Sequence, residues 1–168
     1  VKNPASNSFP WREWTAAILW LILIAIESSP WLSAQNTGHV LYQLLASFFG
    51  PVNASGVSVA NIVLRKVGHV TGYSILSWLL FRAWRATLGS YRAVAWALSW
   101  SVIAFFMTAA VASLDEWHQT FLPSRTGAIH DVYLDSASAL AVQILLFVIL
   151  RKRGAAVADE QTVSVGGN

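Results

Sequence analysis

Cysteine is absent from the 168 residues. That excludes disulfide staples and thiolate metal sites, and it leaves the redox compartment unreadable. Charge is nearly as scarce: charged residues make up 11% of the chain, against 55% hydrophobic. Soluble domains carry about 25% charged residues, so this chain could not cover itself with polar groups in water. No internal repeat and no second domain is visible. Acidic residues are the rarer sign, 8 against 11 basic, giving a net charge of +3. A basic balance can signal nucleic acid, but here the cations flank apolar runs, which is the pattern of membrane orientation. No nucleic-acid partner is expected.

What is abundant is apolar surface and tryptophan. The nine Trp suit the headgroup level of a bilayer. A membrane-crossing helix needs roughly 20 mostly apolar residues, and four stretches qualify: 14–31, 61–83, 93–114 and 132–150. The first lacks a small-residue cleavage site and is read as retained. In the long 32–60 connection, Val40, Leu41, Leu44, Leu45 and Phe48 form a helical apolar stripe over 39–49, too short to span and suited to an interface. Gly50-Pro51 ends it, residues 53–58 read as a loop, and the small, polar stretch from Gly154 reads as a disordered tail. The predicted fold is an all-α integral membrane protein: a four-transmembrane-helix bundle with a short interfacial helix between the first two spans. The expected division is a cytoplasmic N-terminus (1–13), a membrane domain (14–151) and a flexible cytoplasmic tail (152–168).

Basic residues set the orientation. One side holds Lys2, Arg12, Arg82, Arg85, Arg92, Arg151, Lys152 and Arg153; the other holds Arg65, Lys66 and Arg125. The positive-inside rule puts the first side, with both termini, in the cytoplasm. Glu27, Asp115, Glu116, Asp131 and Asp135 then fall at the outer helix ends. Residues three and four apart share a helix face. Lys66, His69 and Tyr73 therefore make one stripe, Asp115 and Gln119 a second, and Asp131 and Asp135 a third, with Ser138 a turn deeper. Ser28 and Ser29 end the first span, and Arg125 sits in the last connection. Four helices thus bring polar groups to one level of one membrane face. Ionisable groups within spans are costly and tend to be functional or paired.

The run Lys66-x-x-His69-x-x-x-Tyr73, then Asp115-Glu116-x-x-Gln119-x-Phe121-x-Pro123-x-Arg125, then Asp131-x-x-x-Asp135, resembles the VanZ-like family, and the Ser28-Ser29 pair fits too. The resemblance covers about residues 14 to 151. The chain departs from the family pattern at Arg65, where Asp is common, at Asp135, where Asn is frequent, and near Ser138, where Gly is frequent. The resemblance implies a bacterial plasma-membrane location and a link to teicoplanin resistance. It implies a location and an architecture more firmly than a reaction.

Three readings of the cluster follow. In the first, it binds membrane lipids or lipid-linked envelope precursors without chemistry. Arg125 and Lys66 would hold an anionic headgroup, helped by Ser28, Tyr73, Gln119 and Asp135, since Arg gives two-pronged hydrogen bonds to phosphate and Lys a point charge. In the second, it is an intramembrane acid/base site acting on a lipid-linked phosphate or sugar. His69, Asp115, Glu116 and Asp131 would then be catalytic, His69 having an ordinary pKa of about 6.5. In the third, it is a structural polar knot, with Arg125 bridged to Asp115, Glu116 or Asp131. Asp135 is expected to pair with Lys66 or Arg125. His118 reads as an outer-surface residue, and His39 and His130 as interfacial or loop residues. Gly68-x-x-x-Gly72 reads as a close helix-packing motif. A metal held by His69, Asp115 and Asp131 would suit a hard or borderline ion, but no metal-ligand spacing supports it. No metal and no cofactor is expected, and the sequence does not fix the oligomeric state.

Overall fold

In the computed structural model, residues 9–89, 96–123, 125 and 127–166 are described, with side chains as far as Arg151. The described residues are all-α. Helix α1 spans Trp11–Glu27, α2 Ala34–Phe49, α3 Ala54–Leu88, α4 Leu98–Gln119 and α5 Ile129–Gly166, with a 3-10 turn at Pro30–Leu32 between the first two. Helix α3 is the centre of the molecule and packs against each of the other four.

Local chemistry explains most boundaries. Ser29-Pro30 stops α1, because proline supplies no amide for a continuing helix. Ser33 then caps α2, its side chain accepting the Asn36 amide. Helix α2 therefore begins at Ala34, earlier than the apolar stripe from 39 indicates. It ends at Gly50, whose φ of 78° and ψ of −160° suit glycine alone. Asn53 caps α3 through the Ser55 amide at 3.0 Å. The expected loop at 53–58 is thus the first turn of a 35-residue helix. At 1.5 Å per residue α3 is about 52 Å long, well beyond a hydrocarbon thickness of about 30 Å. Its first turns carry α2 alongside, tied where the Asn61 side chain donates to the Ala34 carbonyl at 2.9 Å. Helix α5 runs on to Gly166, where a disordered tail was expected from Gly154. The stretch after that glycine begins with Ala155, Ala156 and Ala158 and carries Glu160 and Gln161, all good helix formers, and one internal glycine is tolerated.

The core runs along α3. Tyr73, Leu76, Leu80 and Phe81 are buried there against Ala17 and Ile24 of α1 and Trp100, Ala104 and Ala112 of α4. Small residues on α4 allow that helix to approach closely. Midway along, Gln143 of α5 donates to Ser77 Oγ at 2.7 Å, and Ser77 Oγ donates to the Ala139 carbonyl at 3.2 Å. At the far end Trp14 and Trp84 stack edge to face at 5.3 Å, and Trp14 Nε1 donates to Thr87 Oγ1. These two indoles pack on one another. Trp11, Trp31 and Trp117 stand exposed, as membrane-interface anchors would.

The outside is as apolar as the core. Ile18, Leu19 and Ile22 on α1, Ile62, Val63 and Val67 on α3, and Ile144 and Leu145 on α5 all face outward. Water would penalise such a surface and hydrocarbon does not. Among the described residues, two helices, α4 and the Ile129–Arg151 part of α5, are long and apolar enough to cross a membrane. Helix α1 has 17 residues, and α3 carries Arg65, Lys66 and His69 near its start. The observed fold is therefore a set of five packed helices with membrane character.

Candidate functional site

The polar stripes read from the sequence meet at one end of the helix set, as three rungs between neighbouring helices. Nearest the end, Lys66 Nζ of α3 lies 2.6 Å from Asp131 Oδ1 of α5. One turn deeper, His69 Nδ1 lies 3.1 Å from Asp135 Oδ2. One turn deeper again, the Tyr73 hydroxyl donates to Asp115 Oδ2 of α4 at 3.0 Å. The same oxygen accepts from Gln119 Nε2 at 3.1 Å, and Gln119 also donates to Ser28 Oγ at 3.3 Å. That last contact brings in the end of α1, so four helices are joined at one level.

The rung arrangement corrects one pairing. Asp135 is 0% exposed, and its partner is His69 rather than Lys66 or Arg125. The reason is helix register: Lys66 lies one turn nearer the end of α3 and meets the matching turn of α5 at Asp131. The second oxygen of Asp135, Oδ1, is buried with no partner. Glu116, also buried, accepts the Ala128 amide at 2.8 Å, fixing the start of α5, and keeps a carboxylate oxygen within 4.8 Å of His69 and Asp135 donors. Ser138 folds back on the Asp135 carbonyl.

Arg125 departs from the expected salt bridge to Asp115, Glu116 or Asp131. Among the described residues it bridges to no carboxylate. Its Nη2 reaches the carbonyls of Glu27, Ser29 and Leu32, around the point where α1 breaks into the 3-10 turn. Arg65 Nη1 shares the Leu32 carbonyl at 2.8 Å. Both guanidiniums therefore neutralise backbone dipoles while keeping their charge. Burial, and then the neighbouring charge of Arg65, lowers the Arg125 pKa, but a guanidinium starts so high that it stays ionised. Arg125 Nε is buried without a partner.

Beside the rungs lies a cleft of about 520 Å³. Ile24 of α1, Val40, Leu41 and Leu44 of α2 and Leu64 of α3 supply apolar walls. Glu27, Arg65, His69, Tyr73, Asp115, Gln119 and Arg125 line the same volume. Gly68 and Gly72 also line it, and a Cβ built on either meets nothing within 4 Å. The glycine pair therefore does not serve close packing of two helices; it keeps the cleft wall low. The Gly72 carbonyl is used separately, accepting from Trp20 Nε1 at 2.8 Å. A smaller cavity of about 280 Å³ opens on the other side of His69, beside Lys66, Glu116, His130 and Asp131.

Every site residue named from the sequence, Ser28, Lys66, His69, Tyr73, Asp115, Glu116, Gln119, Arg125, Asp131 and Asp135, lies in this one region. Of the other histidines, His118 is exposed, His130 is exposed beside Asp131 at 3.4 Å, and His39 pairs with Gln43 on the surface of α2. The sequence missed the cleft wall supplied by α2 and the role of Arg65. Ser33-x-x-Asn36 as a helix start was the available signal for the first. Nothing local signals the second.

His69 lines both cavities and Glu116 the smaller one, and His69, Glu116 and Asp135 each offer a donor atom within 4.8 Å of the other two. No curated protein and no solved structure matches the chain. The model of the VanZ/LLP1 family matches residues 14–151, a stretch that holds every residue of the cluster, and the chain belongs to that family.

Proposed function

We propose that this VanZ-family protein is a four-span plasma-membrane protein, both termini cytoplasmic, whose outward cleft binds an anionic lipid headgroup or a lipid-linked envelope precursor. The observation that carries this is the cleft's two-part lining. An acyl or polyprenyl chain needs an apolar slot, and Val40, Leu41, Leu44 and Leu64 line one. A phosphate needs fixed cations, and Arg65 and Arg125 border the same volume, their guanidiniums bonded to backbone carbonyls and, among the described residues, in ion-pair contact with no carboxylate. Asp115, Gln119 and Asn36 add acceptors and donors of the kind that hold sugar or glycerol hydroxyls. Residues 14–151 form the membrane unit and 152–168 its cytoplasmic tail. A link to teicoplanin would then run through the envelope precursor the drug meets.

The membrane placement draws support from the family, from the two apolar helices and from the outward apolar surface. The orientation draws it from the excess of basic residues at the end opposite the cluster.

Lipid recovered with the purified protein tests the proposal. Wild type is expected to retain a phosphate-bearing lipid through detergent purification, identified by mass spectrometry. Gly68→Leu should fold and lose that lipid, because the new side chain enters open space in the cleft. Arg125→Ala should lose it too. Equal lipid in wild type and Gly68→Leu would defeat the binding reading.

One observation favours a second reading. Asp135 holds His69 by Nδ1, the arrangement that orients a general base. An intramembrane enzyme would use His69 in that way, with Asp115, Glu116 or Asp131 moving protons on a lipid-linked phosphate or sugar. New product on incubating wild type, and not His69→Gln, with native lipid extract would support it. Asp115→Asn and Asp131→Asn variants that merely fail to insert or fold would point to a structural knot.

A further inference from the structure

We propose that His69, Glu116 and Asp135 form a binding site for one borderline divalent metal ion, of the Zn2+ or Mn2+ kind. The three residues come from three helices, α3, α4 and α5, and one donor atom from each lies within 4.8 Å of the others. Two donors bound at about 2.1 Å with a tetrahedral angle between them stand roughly 3.4 Å apart. His69 Nδ1 and Asp135 Oδ2, at 3.1 Å, sit close to such a separation, and a Glu116 carboxylate oxygen lies within 4.8 Å of a donor atom of each.

The independent observation is Asp135. It is 0% exposed, its Oδ1 has no partner, and a buried carboxylate without full pairing is disfavoured unless it is neutralised or coordinates a cation. Among the described residues the nearby cations are engaged elsewhere: Lys66 with Asp131, and Arg65 and Arg125 with backbone carbonyls between α1 and α2. A divalent ion would offset both carboxylates at once. One imidazole and two carboxylates suit Zn2+, Mn2+ or Fe2+ better than Mg2+, which prefers oxygen alone, or Cu+, which prefers sulfur. His69 and Glu116 line the smaller cavity, which gives the ion a route in and leaves an open coordination position. Three protein ligands plus an open position is the ligand count of a metal centre that engages an exogenous oxygen, such as a phosphate oxygen. The sequence suggested a different trio, His69 with Asp115 and Asp131. Those two carboxylates are taken by Tyr73 and Lys66.

The site does not depend on what fills the cleft, so its failure leaves the lipid reading untouched. The test uses the full chain with a histidine-free affinity tag, in detergent, stripped with EDTA. It is then equilibrated with Zn2+ or Mn2+ and freed of loose ion by gel filtration. Wild type is expected to hold about one ion per chain by elemental analysis, with a higher unfolding temperature than the stripped protein. Asp135→Asn and Glu116→Gln keep the shapes and the neutral hydrogen bonds, so they should fold and bind about tenfold more weakly or worse. His118→Ala should bind as wild type does. A wild type that holds no ion overturns the proposal. So does an ion retained by Asp135→Asn, or one lost on His130→Ala alone, which would place it on the exposed His130–Asp131 pair.

Discussion

Asp131 and Asp135 stand one turn apart on the same face of α5 and meet different environments. Asp131 pairs with Lys66, whose side chain is 46% exposed. Exposed ion pairs are worth about 0–1 kcal/mol, so Lys66→Ala should barely move the unfolding midpoint in detergent. The Tyr73–Asp115 bond is deeper, with Tyr73 2% exposed. Removing one partner of a buried hydrogen bond costs about 1–3 kcal/mol. Tyr73→Phe should therefore destabilise the protein clearly more than Lys66→Ala, as denaturant titration of both variants can measure. The reverse order would mean that the outer rung, and not the inner one, fastens the helices. Arg125 acts at the same scale as a clamp on the broken end of α1. Its contacts to the Glu27, Ser29 and Leu32 carbonyls all come from one nitrogen, Nη2.

At the scale of elements, the cleft exists because α2 stops short and turns. Gly50 makes that turn with a backbone conformation that a side chain disfavours. Gly50→Ala should cost about 1–3 kcal/mol and loosen α2 from α3, read as faster proteolysis of the 34–53 segment with α4 and α5 intact. Much of this scale could be read in advance. Spacing by three and four put Lys66, His69 and Tyr73 on one stripe and Asp131 with Asp135 on another, and both stripes line the site. Which residue of one stripe meets which of the other could not be read, because it depends on the axial register of α3 against α5. The expected Asp135–Lys66 pair was off by one turn for that reason. Gly68 and Gly72 illustrate a second limit. Small residues a turn apart serve a close helix contact and an open cleft equally well, and only a neighbouring helix decides between them. The early start of α2 was hidden because Ala34 to Gly38 adds no apolar residue to the stripe, and the start of α3 because Asn53 to Ser58 looks like turn chemistry until Asn53 is seen to be a cap.

Across the whole molecule, polarity is segregated lengthwise. The acidic, histidine and cleft-facing arginine groups lie at one end, while Glu13, Arg82 and the Trp14–Trp84 pair lie at the other, with Arg82 and Glu13 3.9 Å apart. The proposed orientation makes the first end outer. Because the chain has no cysteine, an introduced one is the sole thiol. Ala54→Cys should react with a membrane-impermeant maleimide on intact cells, and Ala86→Cys only after lysis. Labelling of both from outside would overturn the four-span arrangement. A cluster so placed would meet lipids of the outer leaflet from the side, through the gap between α1 and α2, with the exposed Trp31 at its rim.

The charge preference of the cleft tests the central claim most directly. Native mass spectrometry of the purified protein, titrated with phosphatidylglycerol and with phosphatidylcholine, reads it. Wild type is expected to bind one molecule of the anionic lipid at least about tenfold more tightly than the zwitterionic one, a difference of about 1.4 kcal/mol. Arg65→Gln with Arg125→Gln should abolish the preference. Equal binding of the two lipids by wild type, or a preference that survives loss of both arginines, would contradict the account.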